Sequence, residues 1–168
     1  YQMLGHTVSD PEGVEGGGTL PGLGLLPTET VFLGEKTRTR VEGVFTTGSG
    51  LFAALSGVPF AGYEIHMGVT TIDGPTLVQI KSQTGEEKAD GCCAGNVWGS
   101  YVHGIFDRAS CAEAVVNCLR RARGLEEDAT AVDWEVYQQQ QYDQLAAGVR
   151  ASLDMQAVYD ILERGVEV

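Results

Sequence analysis

Between Gly95 and Asp107 the chain reads Gly-Asn-Val-Trp-Gly-Ser-Tyr-Val-His-Gly-Ile-Phe-Asp, and no other stretch restricts its fold as tightly. Val97, Trp98, Tyr101 and Val102 are strand formers, so residues 96–103 are predicted to form a buried strand that ends on a histidine. Gly104 follows at once, and Ser110, Glu113 and an apolar run announce a helix a few residues later. The C-terminal tip of such a strand is where open α/β sheets gather their chemistry. A lone histidine there serves structure more often than catalysis, and both readings are open to His103.

Composition narrows the classes of partner. With 168 residues the chain can bury one substantial core and hardly a second. A formal net charge of −12 argues against nucleic acid, whose phosphates are bound by clustered Lys and Arg, and against an anionic membrane surface. No apolar run approaches the ~20 residues that span a bilayer. Cys92 and Cys93 are adjacent, Cys111 and Cys118 stand seven apart on a predicted helix, and no C-x-x-C occurs, which reads as reduced cytosolic thiols. His6, His66 and His103 form no H-x-H or H-E-x-x-H pattern, so no metal site is expected. The glycines between 16 and 24 lack the lysine that a phosphate loop needs.

Along the chain, residues 1–8 read as the remainder of a helix, and 9–24, rich in Gly, Pro and acid, as loop. Strands are expected at 30–33, 38–47, 60–71, 76–82 and 96–103, with 83–91 as a solvated turn. Ser110 and Glu113 have capping-box spacing, and the helix they open ends in basic residues with Gly124 beyond. Apolar residues from Trp134 to Leu162 recur at helical spacing, with a break expected at Gly148 or Asp154. No internal repeat or linker is visible, so residues 1–168 read as one domain.

The words Gly-Ser-Tyr-Val-His-Gly-Ile-Phe-Asp and Gly62-Tyr63-Glu64-Ile65-His66-Met67-Gly68 resemble the C-terminal glutamine amidotransferase domain of the cobyric acid synthase family. Gly22-Leu23-Gly24-Leu25-Leu26-Pro27, Glu35-Lys36-Thr37-Arg38 and Tyr142-Asp143-Gln144-Leu145-Ala146 fall in the order that family has. The resemblance implies a flavodoxin-like class I glutamine amidotransferase fold, α/β, with a mixed sheet flanked by helices. It also implies that the fold is incomplete at its N-terminus. The family pattern Gly-x-Cys-Gly-Gly-Tyr-Gln-Met-Leu-Gly would put the nucleophilic cysteine three residues before Tyr1, so 1–168 is expected to be a partial, glutaminase domain that is inactive alone.

Glutaminase chemistry needs a thiolate, a base that makes it and then protonates departing ammonia, and backbone amides for the oxyanion. By resemblance His103 is the base and acid. By the same resemblance Gln2 and the segment holding Glu64, His66, Met67 and Gly68 correspond to the superfamily's glutamine-binding positions, with His66 read either as a second functional histidine or as a satisfied core residue. The commonest pattern has a glutamate two residues after the histidine, but here that position is Ile105, which implies a Cys–His dyad or a distant acceptor. Asp107 reads as an exposed helix-entry residue, and Cys92 and Cys93 as incidental. Glutamine is the implied substrate. ATP and magnesium belong to a synthetase domain outside this chain, a corrinoid carboxylate is the acceptor, and the setting is cytoplasmic. Two other readings stay open: a non-catalytic docking domain of the same fold, and a different cysteine hydrolase of similar architecture.

Overall fold

The computed structural model describes residues 1–46 and 50–165. The chain divides into two units, Tyr1–Ala131 and Val132–Val168. The first is built on an eight-stranded mixed sheet: β1 (Thr7–Asp10), β2 (Gly18–Pro21), β3 (Thr28–Phe45), β4 (Pro59–Ile72), β5 (Thr76–Ser82), β6 (Glu87–Ala94), β7 (Val97–Gly99) and β8 (Val102–His103). Only the β1–β3 pair is parallel among these ladders. The mixed sheet that the resemblance implied is therefore present, with α1 (Ala109–Ala122) packed beside it.

The long central strand β3 organises the unit. One of its edges pairs with β4 over most of its length. Its other edge is shared, with β1 taking Glu29–Val31 and β5 taking Val41–Phe45. Sequence periodicity predicts two strands here, 30–33 and 38–47; the structure joins them, and the gap between them is a bulge. Phe32 pairs with Gly68 and Thr37 with His66, so residues 33–36 stand opposite Met67 alone. Thr47, the last residue of the expected strand, lies outside the described residues.

Other expectations are corrected. Residues 1–8 form no longer helix, only a 3-10 turn at Gln2–Leu4 before β1 begins at Thr7. The expected loop 9–24 contains β2, an edge strand exposed along its whole length and held by pairing to β1. The expected turn 83–91 gives way to β6 at Glu87, because pairing with β5 outweighs the local charge of Glu87 and Lys88. Helix α1 begins one residue before Ser110, which leaves Ser110 inside its first turn and the capping box unformed.

The core lies where β3, β4 and β5 meet α1: Val41, Phe45, Phe60, Val78 and Ile80 pack with Ile105 and Cys111. Phe45 and Phe60 meet edge to face at 5.4 Å. In the second unit, α2 (Trp134–Ser152) and α3 (Met155–Arg164) are opened by aspartates. Asp133 accepts the amides of Glu135 and Val136, and Asp154 accepts that of Ala157. The break falls at Asp154, while Gly148 stays within α2. No helix among the described residues is long and apolar enough to cross a membrane.

Candidate active site

His103 is delivered by a strand of two residues. Tyr63 pairs with His103 and Glu64 with Val102, which lays β8 against β4. Gly62 makes that approach possible, since a Cβ there would stand 2.2 Å from the His103 carbonyl oxygen and 2.7 Å from Val102 Cγ1. The single strand expected over 96–103 is cut at Ser100 and Tyr101. Asp90, buried in β6, accepts from Ser100 Oγ at 2.5 Å and from the Tyr101 amide at 3.0 Å, while Ser100 Oγ accepts the Val102 amide. These bonds turn the chain from the β6–β7 ladder toward β4. His103 remains the last residue of its strand, exposed, with its ring stacked on Tyr63 (centroids 5.3 Å apart, planes 7° apart).

A crevice of about 390 Å³ opens beside the strand tip, within the range of small-molecule sites (~300–1,000 Å³). Tyr1, Gln2, His66, Met67, Tyr101 and His103 are among its walls. Of the sequence-predicted site residues, Gln2, His66, Met67 and His103 thus meet in one place, whereas Glu64 and Gly68 lie behind the wall. Gly68 leaves room for the wall itself, because a Cβ there would come within 2.7 Å of both Gln2 Nε2 and Thr30 Cγ2. Gln2 Nε2 donates to the Tyr101 hydroxyl, which meets Thr70 Oγ1 at 2.5 Å, and Thr70 Oγ1 meets Thr30 Oγ1 at 2.8 Å. Tyr1 packs edge-on against the Tyr101 ring.

His66 is held on three sides. Its ring stacks on Tyr101 with centroids 3.8 Å apart. Its Nδ1 lies 2.8 Å from the Gly68 carbonyl, which can only accept, so Nδ1 carries the hydrogen and donates. Nε2 lies 3.4 Å from Glu64 Oε1, which also lies 3.0 Å from Lys88 Nζ. Neither Glu64 Oε1 nor His66 Nε2 makes an aligned hydrogen bond, so their contact is one of charge and proximity. Burial alone would push the Glu64 carboxyl up, but contacts with His66 and Lys88 outweigh it and hold the group below its ordinary value. With Lys88 and Arg38, Glu64 lines a second crevice of about 310 Å³.

Nothing in the first crevice is a thiol. Cys92 and Cys93 lie in β6, Cys111 and Cys118 in α1, all four buried and unpaired. Burial pushes the thiols of Cys92 and Cys93 up and that of Cys111 to about 11, which opposes nucleophilic use. Ile105 is buried in the core, so the position two beyond His103 presents no carboxylate to the ring. Among the described residues no three His, Cys, Asp or Glu side chains converge as metal ligands.

A histidine at a strand tip thus shares a small polar crevice with a glutamine and a second histidine. Residues 1–111 match the model of the CobB/CobQ-like glutamine amidotransferase domain, a span that holds every strand and both crevices. The chain belongs to that family. Cobyric acid synthase of Ruminiclostridium cellulolyticum is 44% identical over 173 residues, covering 99% of this chain and 34% of the relative. That of Citrobacter koseri is 43% identical over 169 residues, with 98% and 33% covered. That of Lachnoclostridium phytofermentans is 39% identical over 178 residues, with 99% and 35% covered. The chain thus spans about a third of the length of these relatives. The mixed sheet beside α1 is in keeping with the class I glutamine amidotransferase fold.

Within this amidotransferase domain, sequence reasoning misses Tyr101, Tyr63, Gly62 and Asp90. Tyr101 reads as an ordinary strand former, although it stands two residues before His103, the spacing that puts two side chains on one side of a strand. Glu15, which also lines the crevice, carries no local signal, and Lys36 stands inside the family-like Glu35-Lys36-Thr37-Arg38 with nothing in that word to mark it as a crevice residue.

Proposed function

We propose that the chain is the glutaminase part of an adenosylcobyric acid synthase, releasing ammonia from glutamine for ATP-dependent amidation of corrinoid side-chain carboxylates. The observation that carries this reading is the meeting of strand-end His103 with Gln2 and His66 on one crevice, in a chain whose relatives are named cobyric acid synthases. In this reading a cysteine ahead of Tyr1 supplies the nucleophile. Three residues of chain reach at most ~10 Å, and Tyr1 shares the crevice with His103.

The chemistry follows from the ring's surroundings. His103 takes the thiol proton, the thiolate attacks the side-chain amide carbon, and the imidazolium gives its proton to departing ammonia. The same ring then activates water against the thioester. Stacking on Tyr63 fixes the ring plane while leaving its edge exposed to exchange protons. With Ile105 in the core, orientation comes from this stack and the β8 backbone, which makes the pair a Cys–His dyad. ATP and magnesium would serve a separate synthetase domain, since this chain has no lysine-bearing phosphate loop. Four unpaired, buried cysteines suit the reducing cytoplasm. The 168-residue chain alone, with no thiol on the crevice, would hydrolyse no glutamine.

The test uses a full-length synthase carrying this domain. His103→Ala should lower glutamine-dependent synthesis about 10²–10⁴-fold while sparing synthesis driven by free ammonia, which bypasses amide cleavage. Equal loss with both nitrogen sources would assign His103 to the fold or to the synthetase site.

A further inference from the structure

Apart from its histidines, the crevice is lined by only two side chains of formal charge, Glu15 and Lys36, one acid and one base. Neither makes an ion pair among the described residues. Both are exposed, and both ride on segments whose backbone is specifically shaped. Lys36 ends the bulge in which residues 33–36 oppose Met67 alone, and a bulge re-aims side chains that the ladder would otherwise fix. Glu15 lies in the turn after β1, wound around the Asp10 carboxylate, which accepts the amides of Val14 at 2.9 Å, Glu15 at 2.7 Å and Gly17 at 2.8 Å. A further bond joins the two segments, as the Glu12 carboxylate accepts the Gly34 amide at 3.2 Å. Bulge and turn are thereby braced against each other, and one acidic and one basic residue line the same crevice.

Resting on the glutaminase reading above, we propose that Lys36 binds the α-carboxylate and Glu15 the α-ammonium of free L-glutamine, so that the side-chain amide is directed to His103. Free glutamine carries both charges on one carbon, whereas a glutamine within a peptide carries neither. One acid and one base on a crevice of this size therefore select the free amino acid. A charge-assisted hydrogen bond to each group supplies the discrimination.

The test compares L-glutamine, its α-methyl ester and Nα-acetyl-L-glutamine as substrates of the full-length protein. Unmodified protein should prefer L-glutamine over each analogue by about 10–100-fold in kcat/KM. Lys36→Met should raise KM for L-glutamine about 10–100-fold with kcat within a few-fold, and abolish the preference over the methyl ester while keeping that over the acetyl compound. Glu15→Gln should do the reverse, and Lys36→Arg should largely restore KM. Ammonia-driven synthesis is the control for folding. If Lys36→Met and Glu15→Gln leave KM and both preferences unchanged while His103→Ala still abolishes glutamine use, this assignment is wrong and the glutaminase reading stands. If His103→Ala spares glutamine use, the glutaminase reading falls and takes this one with it.

Discussion

His66 and His103 face the same crevice from neighbouring strands, and their surroundings are opposite. His66 is clamped: its Nδ1 donates to Gly68, its Nε2 looks into Glu64, and its face lies on Tyr101. His103 is exposed and touches Tyr63 through its ring face, with no side-chain hydrogen bond among the described residues. A ring bonded at one nitrogen, walled in at the other and stacked on its face is a fixture, and a ring with both edges open can take and return a proton. The contrast separates a histidine built into the crevice wall from one whose ring edge is open to it.

Exchanging the two gives the largest expected difference. His103→Gln should lower kcat for glutamine hydrolysis about 10²–10⁴-fold and leave the melting temperature little changed. His66→Gln should lower kcat less than about tenfold while costing about 1–2 kcal/mol of stability, since it removes a half-buried hydrogen bond and an aromatic stack. Parallel measurements of turnover and thermal unfolding would show it. Equal kinetic losses from both would erase the distinction.

A smaller effect should follow from disturbing the strand that carries His103 without touching the ring. Gly62→Ala puts a methyl group against the His103 carbonyl, so β8 must move off β4. About 1–3 kcal/mol of destabilisation and at least a tenfold fall in glutamine turnover are expected. Gly148→Ala is the control, because a Cβ there meets nothing within 4 Å and alanine suits a helix interior; a gain of about 0.5–1 kcal/mol is expected. A Gly62→Ala protein with normal turnover would mean that the pairing of β8 with β4 does not set the position of His103.

Local pattern revealed some of this and concealed the rest for identifiable reasons. The strand-forming run before His103 and the glycine after it placed the histidine at a strand tip, where it is. The cut at Ser100 was invisible because it is made by Asp90, ten positions earlier, and no residue spacing announces that bond. β2 was hidden by a glycine- and acid-rich composition, since pairing rather than propensity makes it a strand. The break between α2 and α3 was legible because Asp154 is itself the cap. At the site, family resemblance singled out Gln2, His66, Met67 and His103, and the fold gathers them. Tyr101 and Lys36 stand inside words that resemble the family, but long-range contacts and a bulge bring them to the crevice, and Glu15 arrives on a braced turn that no residue spacing announces.

The smallest expected effect tests the clamp on His66 from behind. Glu64 is 1% exposed, and its carboxyl is held below the ordinary 4.5: burial pushes it up, while His66 and Lys88 pull it down and prevail. A carboxyl depressed in the folded chain binds its proton more readily in the unfolded one. Its stabilising contribution is therefore complete above the ordinary value and drains away as pH falls through that value toward the folded one. Unmodified protein should lose stability on this account from about pH 5 downward. Glu64→Gln has no proton to gain there, so its acid limb should be shallower, with a cost near neutrality of only about 1 kcal/mol because Lys88 is partly exposed and screened. Denaturant midpoints of both proteins, read from about pH 7 to about pH 3, would show the curves converging as acid is added. Curves that stay parallel throughout would mean that Glu64 does not hold His66 through its charge, and the contrast between the two histidines would then rest on Tyr101 and Gly68 alone.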